Sequence, residues 1–170
     1  MTTASSSELQ ALRGALHGAR RHVFEALSGL DSDALRLRVL PSGWTCLGLV
    51  NHLSRDVERF WFQAVIAGEQ TAIDDVLSYP GNAWNPSTDE PCEEILATYR
   101  YNIERADDIV GASSLDAAPT WWPEKLFGSW RLETVREIVL HVIVETATHT
   151  GHLDAARELI DGELHLVLTD

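Results

Sequence analysis

Residues 132–162 read LETVREIVLHVIVETATHTGHLDAARELIDG. Apolar side chains recur there every three or four residues, the period of a helix with one face in a core. The spacing predicts one long helix from about Leu132 to Ile160, with Gly162 as its terminator. Ionisable residues share the apolar face. With His141 set at 0° and about 100° per residue, Glu145 falls at about 40°, His149 at about 80° and His152 at about 20°. Ile138 and Ala156 fall at about 60°, Leu159 at about 0°, and Val142 and Ile160 at about 100° on the same wheel. The stripe is therefore expected inside the core-facing sector.

A carboxylate and imidazoles buried without partners lose several kcal/mol of solvation. A cation between them removes that loss. Glu145 and His149, four residues apart, can aim at one point, as paired histidines do in helical zinc sites. The plainer alternative is an acid–base pair that only supports its own helix. His152 is open to several readings: a fourth ligand, a group that orients a ligand, a proton carrier, or a hydrogen-bonded core histidine. His141 reads as structural. Gly151, inside the helix at a cost of roughly 1 kcal/mol against alanine, suggests close approach by another backbone or a ligand.

A third ligand has to come from a facing helix. The segment from about Thr45 to Ala67 carries Leu49, Leu53, Val57, Phe60, Trp61 and Ala64 at helical spacing, and Gly68 ends it. His52 lies at the edge of that face and is the best-placed candidate. Asp56, one turn on, could orient His52, pair with Arg59, or be a solvated acid. Two imidazoles and a carboxylate suit zinc, nickel or ferrous iron, and three protein ligands leave a position open for water or substrate.

Two further helices complete the pattern. One runs from about Glu8 to Ser28, capped by Ser5, Ser6 or Ser7 and stopped by Gly29; the other starts at about Pro91 and is closed by Gly111. A short turn of helix is expected at Ser32 and Asp33. Residues 69–89 and 112–130, interrupted by prolines, read as loops. Residues 1–7 read as a flexible lead. The tail 163–170, GELHLVLTD from Gly162, alternates like a strand and would pack along the helices or against a second subunit of a homodimer. The expected architecture is all-α, a four-helix bundle with long inter-helix connections in a single domain over residues 1–170.

The net charge of -13 argues against nucleic acid, whose phosphates need clustered Lys and Arg, and against an anionic membrane. No apolar run approaches the roughly 20 residues of a membrane span, and MTTASSSELQ lacks the features of a signal peptide. Cys46 and Cys92 make no disulfide framework, so reduced thiols in a cytoplasm are expected. Cys46 sits near a helix start, where a thiolate is favoured, but reads better as a plain buried cysteine. Trp44 reads as a staple of the second helix rather than a substrate contact. Several of the six tryptophans fall in loop-like segments, where they could wall a pocket or cap the core. His17, His22 and His165 carry no signal.

The segments LRGALHGARRHVFEALSGL, PSGWTCLGLVNHLSRDVERFWF and VREIVLHVIVETATHTGHLDAARELIDG, in this order, resemble the DinB/YfiT-like superfamily. The likeness is nearest to its actinobacterial branch around the mycothiol-dependent maleylpyruvate isomerases. The resemblance implies a four-helix bundle holding a divalent metal through a histidine on the second helix, here His52, and two residues on the last, here Glu145 and His149. Gly151 and His152 match the positions that follow the last ligand. It further implies a metal-dependent thiol transferase or isomerase, with mycothiol or a similar thiol as cosubstrate, a small electrophile as acceptor, and His152 moving a proton. The alternatives are a non-catalytic metal-binding stress-response protein and a metal-dependent hydrolase.

Overall fold

A computed structural model describes residues 3–78 and 82–165. Among them regular structure is entirely helical, with no strand. The elements are α1 (Thr3–Leu27), α2 (Ser32–Leu35), α3 (Cys46–His52), a π-helical continuation of α3 (Leu53–Ile66), α4 (Gln70–Ser78), α5 (Cys92–Ala112), α6 (Glu124–Phe127) and α7 (Val135–Asp161). Four long helical runs therefore carry the molecule: α1, α3 with its π segment, α5 and α7.

Cross-contacts fix their directions. Glu8 meets Arg136, His22 meets Asp154, and Arg157 donates to the carbonyls of Ala26 and Ser28, so α1 and α7 run parallel. Arg157 thereby satisfies carbonyl groups at the open C-terminal end of α1. His52 and Trp61 pair with His149 and His141, so the second run is antiparallel to α7. Phe24 meets Tyr99 and His17 meets Asp107, which sets α5 antiparallel to α1 and parallel to the second run. A parallel pair cannot be joined by a tight turn, which is why residues 67–91 form a long return connection.

The core joins all four runs, with Leu16, Val23, Leu49, Leu53, Phe62, Ile95, Tyr99, Ile138, Val139 and Leu153 essentially excluded from solvent. Every residue from Phe60 to Ile66 is buried, because this stretch is sandwiched between its neighbours. A polar triad crosses the core. Arg20 on α1 clamps Glu58 of the π segment through Nε and a terminal nitrogen at 2.7 and 2.5 Å, and reaches Asp107 on α5 at 2.8 Å.

Several boundaries differ from expectation for local reasons. α1 begins at Thr3, within the lead read as flexible, so Ser5–Ser7 lie inside the helix rather than at its cap. Residues 69–89 contain α4, whose Ala72 and Ile73 are buried; the loop signals in the sequence, Pro80, Gly81, Asn82 and Pro86, come after it along the chain. α5 runs through Gly111 and ends at Ala112. α7 starts at Val135 rather than Leu132, because Thr134 caps it by accepting from the Glu137 amide at 3.3 Å. Gly162, at φ 78°, terminates α7 as expected. Beside Gly151 a Cβ would meet nothing within 4 Å, so the expected close backbone is not there. Of the tail, Glu163–His165 form no strand, and residues 166–170 lie outside the described residues.

Candidate metal centre

Three side chains from two helices converge where α3 gives way to its π segment. One ligand atom from each of His52, Glu145 and His149 lies within 4.8 Å of the other two. Glu145 Oε1 is 3.1 Å from His149 Nε2 and 3.6 Å from His52 Nε2. His149 is buried, and His52 and Glu145 are half-buried. The π segment begins at the residue after His52, and such wide turns recur at functional sites.

His52 is held from three sides. Its Nδ1 donates to Asp56 Oδ2 at 2.9 Å, which keeps the proton on that nitrogen and leaves the Nε2 lone pair facing Glu145 and His149. Nε2 is buried and makes no hydrogen bond; at 3.6 Å Glu145 is too far to provide one. Burial draws the imidazole pKa down, but the carboxylates of Asp56 and Glu145 outweigh it, and the net direction is up. Arg59 instead engages Asp75 and Gln63, so Asp56 meets His52 and not Arg59, while remaining exposed to solvent.

Trp84 covers the third side, its ring stacked on His52 at 4.4 Å between centroids and 19° between planes. Its place depends on a close approach. A Cβ on Gly48 would fall 2.1 Å from the Trp84 carbonyl oxygen, and Asn51 Nδ2 donates to the Ala83 carbonyl at 2.8 Å. Trp84 is one of the loop tryptophans expected to wall a pocket or cap the core; its contact with His52 was not read from the sequence, although a glycine one turn before His52 in a helix signals such contact.

Glu145 is held well below the usual carboxylate range, first by the hydrogen bond from His149, then by His52, against the upward push of burial. His149 Nδ1 lies 3.3 Å from His152 Nδ1, and His152 is exposed. The ionisable stripe is thus graded: His149 is buried, His141 and Glu145 are half-buried, and His152 and Leu159 are exposed. The centre of the buried sector lies nearer Val142 than the wheel implied, so the stripe forms its border and opens to solvent.

The other candidates resolve simply. His141 packs edge-on against Trp61 and against Trp130, at 4.8 and 5.7 Å, and burial lowers its pKa. The Cys46 thiol, although at the start of α3, is pushed up to about 11 by burial and stays protonated. Trp44 packs against the core yet also meets Trp84 and His152, at 6.4 and 6.3 Å, so it is both staple and rim of the site. His22 pairs with Asp154 and stacks on His165, away from the centre. No described helix is long and apolar enough to cross a membrane.

Two cavities flank the centre. One of about 330 Å³ is lined by Arg38, Ser42, Trp44, Asn82, Trp84 and Asn85. The other, about 430 Å³, lies between the π segment, α6 and α7 and reaches Asp56 and Glu145. A smaller one of about 240 Å³ beside Arg59 and Asp75 lies behind Asp56 and touches none of the three converging residues.

No curated protein and no solved structure matches the chain. The family model of mycothiol-S-transferase matches residues 11–162, a span that takes in most of α1, the other three long helical runs and both sides of the centre. The chain accordingly belongs to the mycothiol-S-transferase family, in the actinobacterial branch of the DinB/YfiT-like superfamily, and is an enzyme of the thiol S-transferase class.

Proposed function

We propose that the chain transfers the sulfur of mycothiol to a small electrophile, using one divalent ion held by His52, Glu145 and His149. The observation that carries this reading is the buried His52 Nε2, which has no hydrogen-bond partner and faces an ionised carboxylate and a second imidazole. A buried polar atom left unsatisfied costs about 1–3 kcal/mol. Separations of 3.1 and 3.6 Å between donor atoms are close to what bonds of about 2.0–2.2 Å to one ion impose. Zinc, nickel and ferrous iron all suit two imidazoles and a carboxylate.

When bound, the ion would stabilise the thiolate, the reactive form of a thiol, at neutral pH. The chain's own residues supply the rest. Asp56 fixes the tautomer of His52, and Trp84 holds its ring from the opposite face. His152, exposed and in contact with His149, would accept the thiol proton and release it to water. The cavity at Arg38, Asn82 and Asn85 shares Trp84, which stacks on His52, and Trp44, which meets His152, and it offers polar groups to the hydroxyl-rich body of mycothiol.

Metal analysis of purified protein, followed by assay of a chlorinated substrate with and without mycothiol, tests this reading. Thiol-dependent chloride release that disappears in His149→Ala is the expected result. Chloride release without thiol would favour a hydrolase. A fall in melting temperature on chelation, with no turnover at all, would favour a non-catalytic metal protein.

A further inference from the structure

The cavity between the π segment, α6 and α7 is built differently from the polar one across the centre. Phe60, Trp61, Val76, Leu126 and Phe127 make its apolar walls, and Arg55, Asp56, His141 and Glu145 complete the lining. The aromatic part is rigid: Trp61 and Phe127 stack at 5.7 Å and 8°, and Phe60 meets both rings edge-on at 4.7 and 5.9 Å. The space, about 430 Å³, lies within the range of small-molecule sites, which are mostly apolar with few polar groups. Its polar end is the metal centre itself, because Glu145 and the Asp56 that orients His52 both line it.

Apolar side chains left uncovered around an open space are not explained by packing of the core. Leu126 stands 60% exposed at the lip. An apolar guest that displaces water from such walls gains about 25 cal/mol for each Å² covered.

We propose that this cavity is the acceptor site, and that the acceptor is an apolar electrophile of about aromatic-ring size whose reactive carbon faces Glu145. The inference rests on the transferase reading above and adds the class and place of the second substrate. For a benzylic chloride the step balances simply. The sulfur, already deprotonated, forms a bond to the benzylic carbon as the carbon–chlorine bond breaks, and chloride leaves with the bonding pair. The ring stays against Phe60, Trp61 and Phe127 throughout.

The test compares two acceptors with the same leaving group, benzyl chloride and 2-chloroacetamide, on the metal-loaded protein with mycothiol. Wild type is expected to prefer benzyl chloride in kcat/KM. The preference should fall at least tenfold in Leu126→Glu, which brings a charge to the lip, and in Phe127→Ala, which removes a wall. A preference unchanged in both variants overturns the proposal. Benzyl alcohol, which cannot be attacked, gives a second readout needing neither metal nor thiol, through saturation-transfer NMR. Binding to wild type that is lost in Leu126→Glu supports the site, and binding indifferent to both substitutions overturns it. A protein that binds benzyl alcohol through these residues but transfers no thiol defeats the transferase reading while leaving the apolar site standing.

Discussion

Asp56 and His52 show how one hydrogen bond decides what an imidazole can do. An exposed carboxylate four residues along keeps the proton on Nδ1, and Nε2 becomes the free donor. Asp56→Asn should leave the fold intact, since the side chain is exposed, but weaken zinc or nickel binding by about 10–100-fold. Competition titration with a chromophoric chelator measures this, and unchanged affinity would remove Asp56 from the centre. His141 permits a pH prediction. Burial lowers its pKa, so below the ordinary value of 6.5 the unfolded chain binds the proton that the folded chain refuses. The contribution of His141 to stability should therefore fall as pH drops below about 6.5, with a slope of at most about 1.4 kcal/mol per unit. Urea unfolding of metal-free wild type and His141→Phe at pH 5.5 and 7.5 checks the sign: the substitution should favour the protein more at pH 5.5 than at 7.5, a comparison that cancels the opposite contribution of His52, whose pKa is raised. At this scale the sequence was half legible. Helical phase alone brought Glu145 and His149 together, but nothing in the spacing tied His52 to them, because inter-helix register is set by packing. The family pattern supplied that link.

The second helical run repays attention as a single element. Its apolar positions were readable because Leu49, Leu53, Val57, Phe60, Trp61 and Ala64 all turn inward. Its π-helical wind from Leu53 was not, since a wider turn changes hydrogen bonding without changing which residues are apolar. The same run receives the loop that carries Trp84. Gly48 is small because the Trp84 carbonyl occupies the place of a side chain. Gly48→Ala must lift that loop, and overpacking of this kind costs about 1–3 kcal/mol. Denaturant titration should show the loss, together with a change in tryptophan fluorescence as Trp84 leaves His52. A variant with wild-type stability and spectrum would mean the loop yields freely. α4 escaped the sequence reading for a related reason: its inward face is only Ala72 and Ile73 with half-buried Val76, too short a pattern to outweigh the turn residues after it.

Across the whole molecule, Arg20, Glu58 and Asp107 tie three of the four long helices together in a buried charge cluster. Burial pushes the Glu58 carboxyl up, Arg20 pulls it down, and burial prevails. Removing one partner strands the other: Arg20→Ala should cost about 3–5 kcal/mol. Replacing both, as Arg20→Met with Glu58→Leu, should recover much of that loss. Calorimetry of the single and double variants tests it, and a double variant as unstable as the single one would show that the charges themselves are required. No sequence pattern announced this cluster, because an arginine on one helix and a glutamate on another meet only after folding. The all-helical class was legible from periodicity, and the parallel pairing of α1 with α7 was not.

That parallel pairing has a mechanical consequence. The leading end of α1 and the trailing end of α7 lie at opposite poles, so tension applied through the two ends of the chain slides one helix along the other. Glu8 with Arg136, His22 with Asp154, and Arg157 with the Ala26 and Ser28 carbonyls would all bear load together. An antiparallel pair pulled from adjacent ends would instead unzip one contact at a time. In an optical trap the protein should therefore resist to a higher force when held by its ends than when held by handles on the neighbouring ends of α1 and the second run.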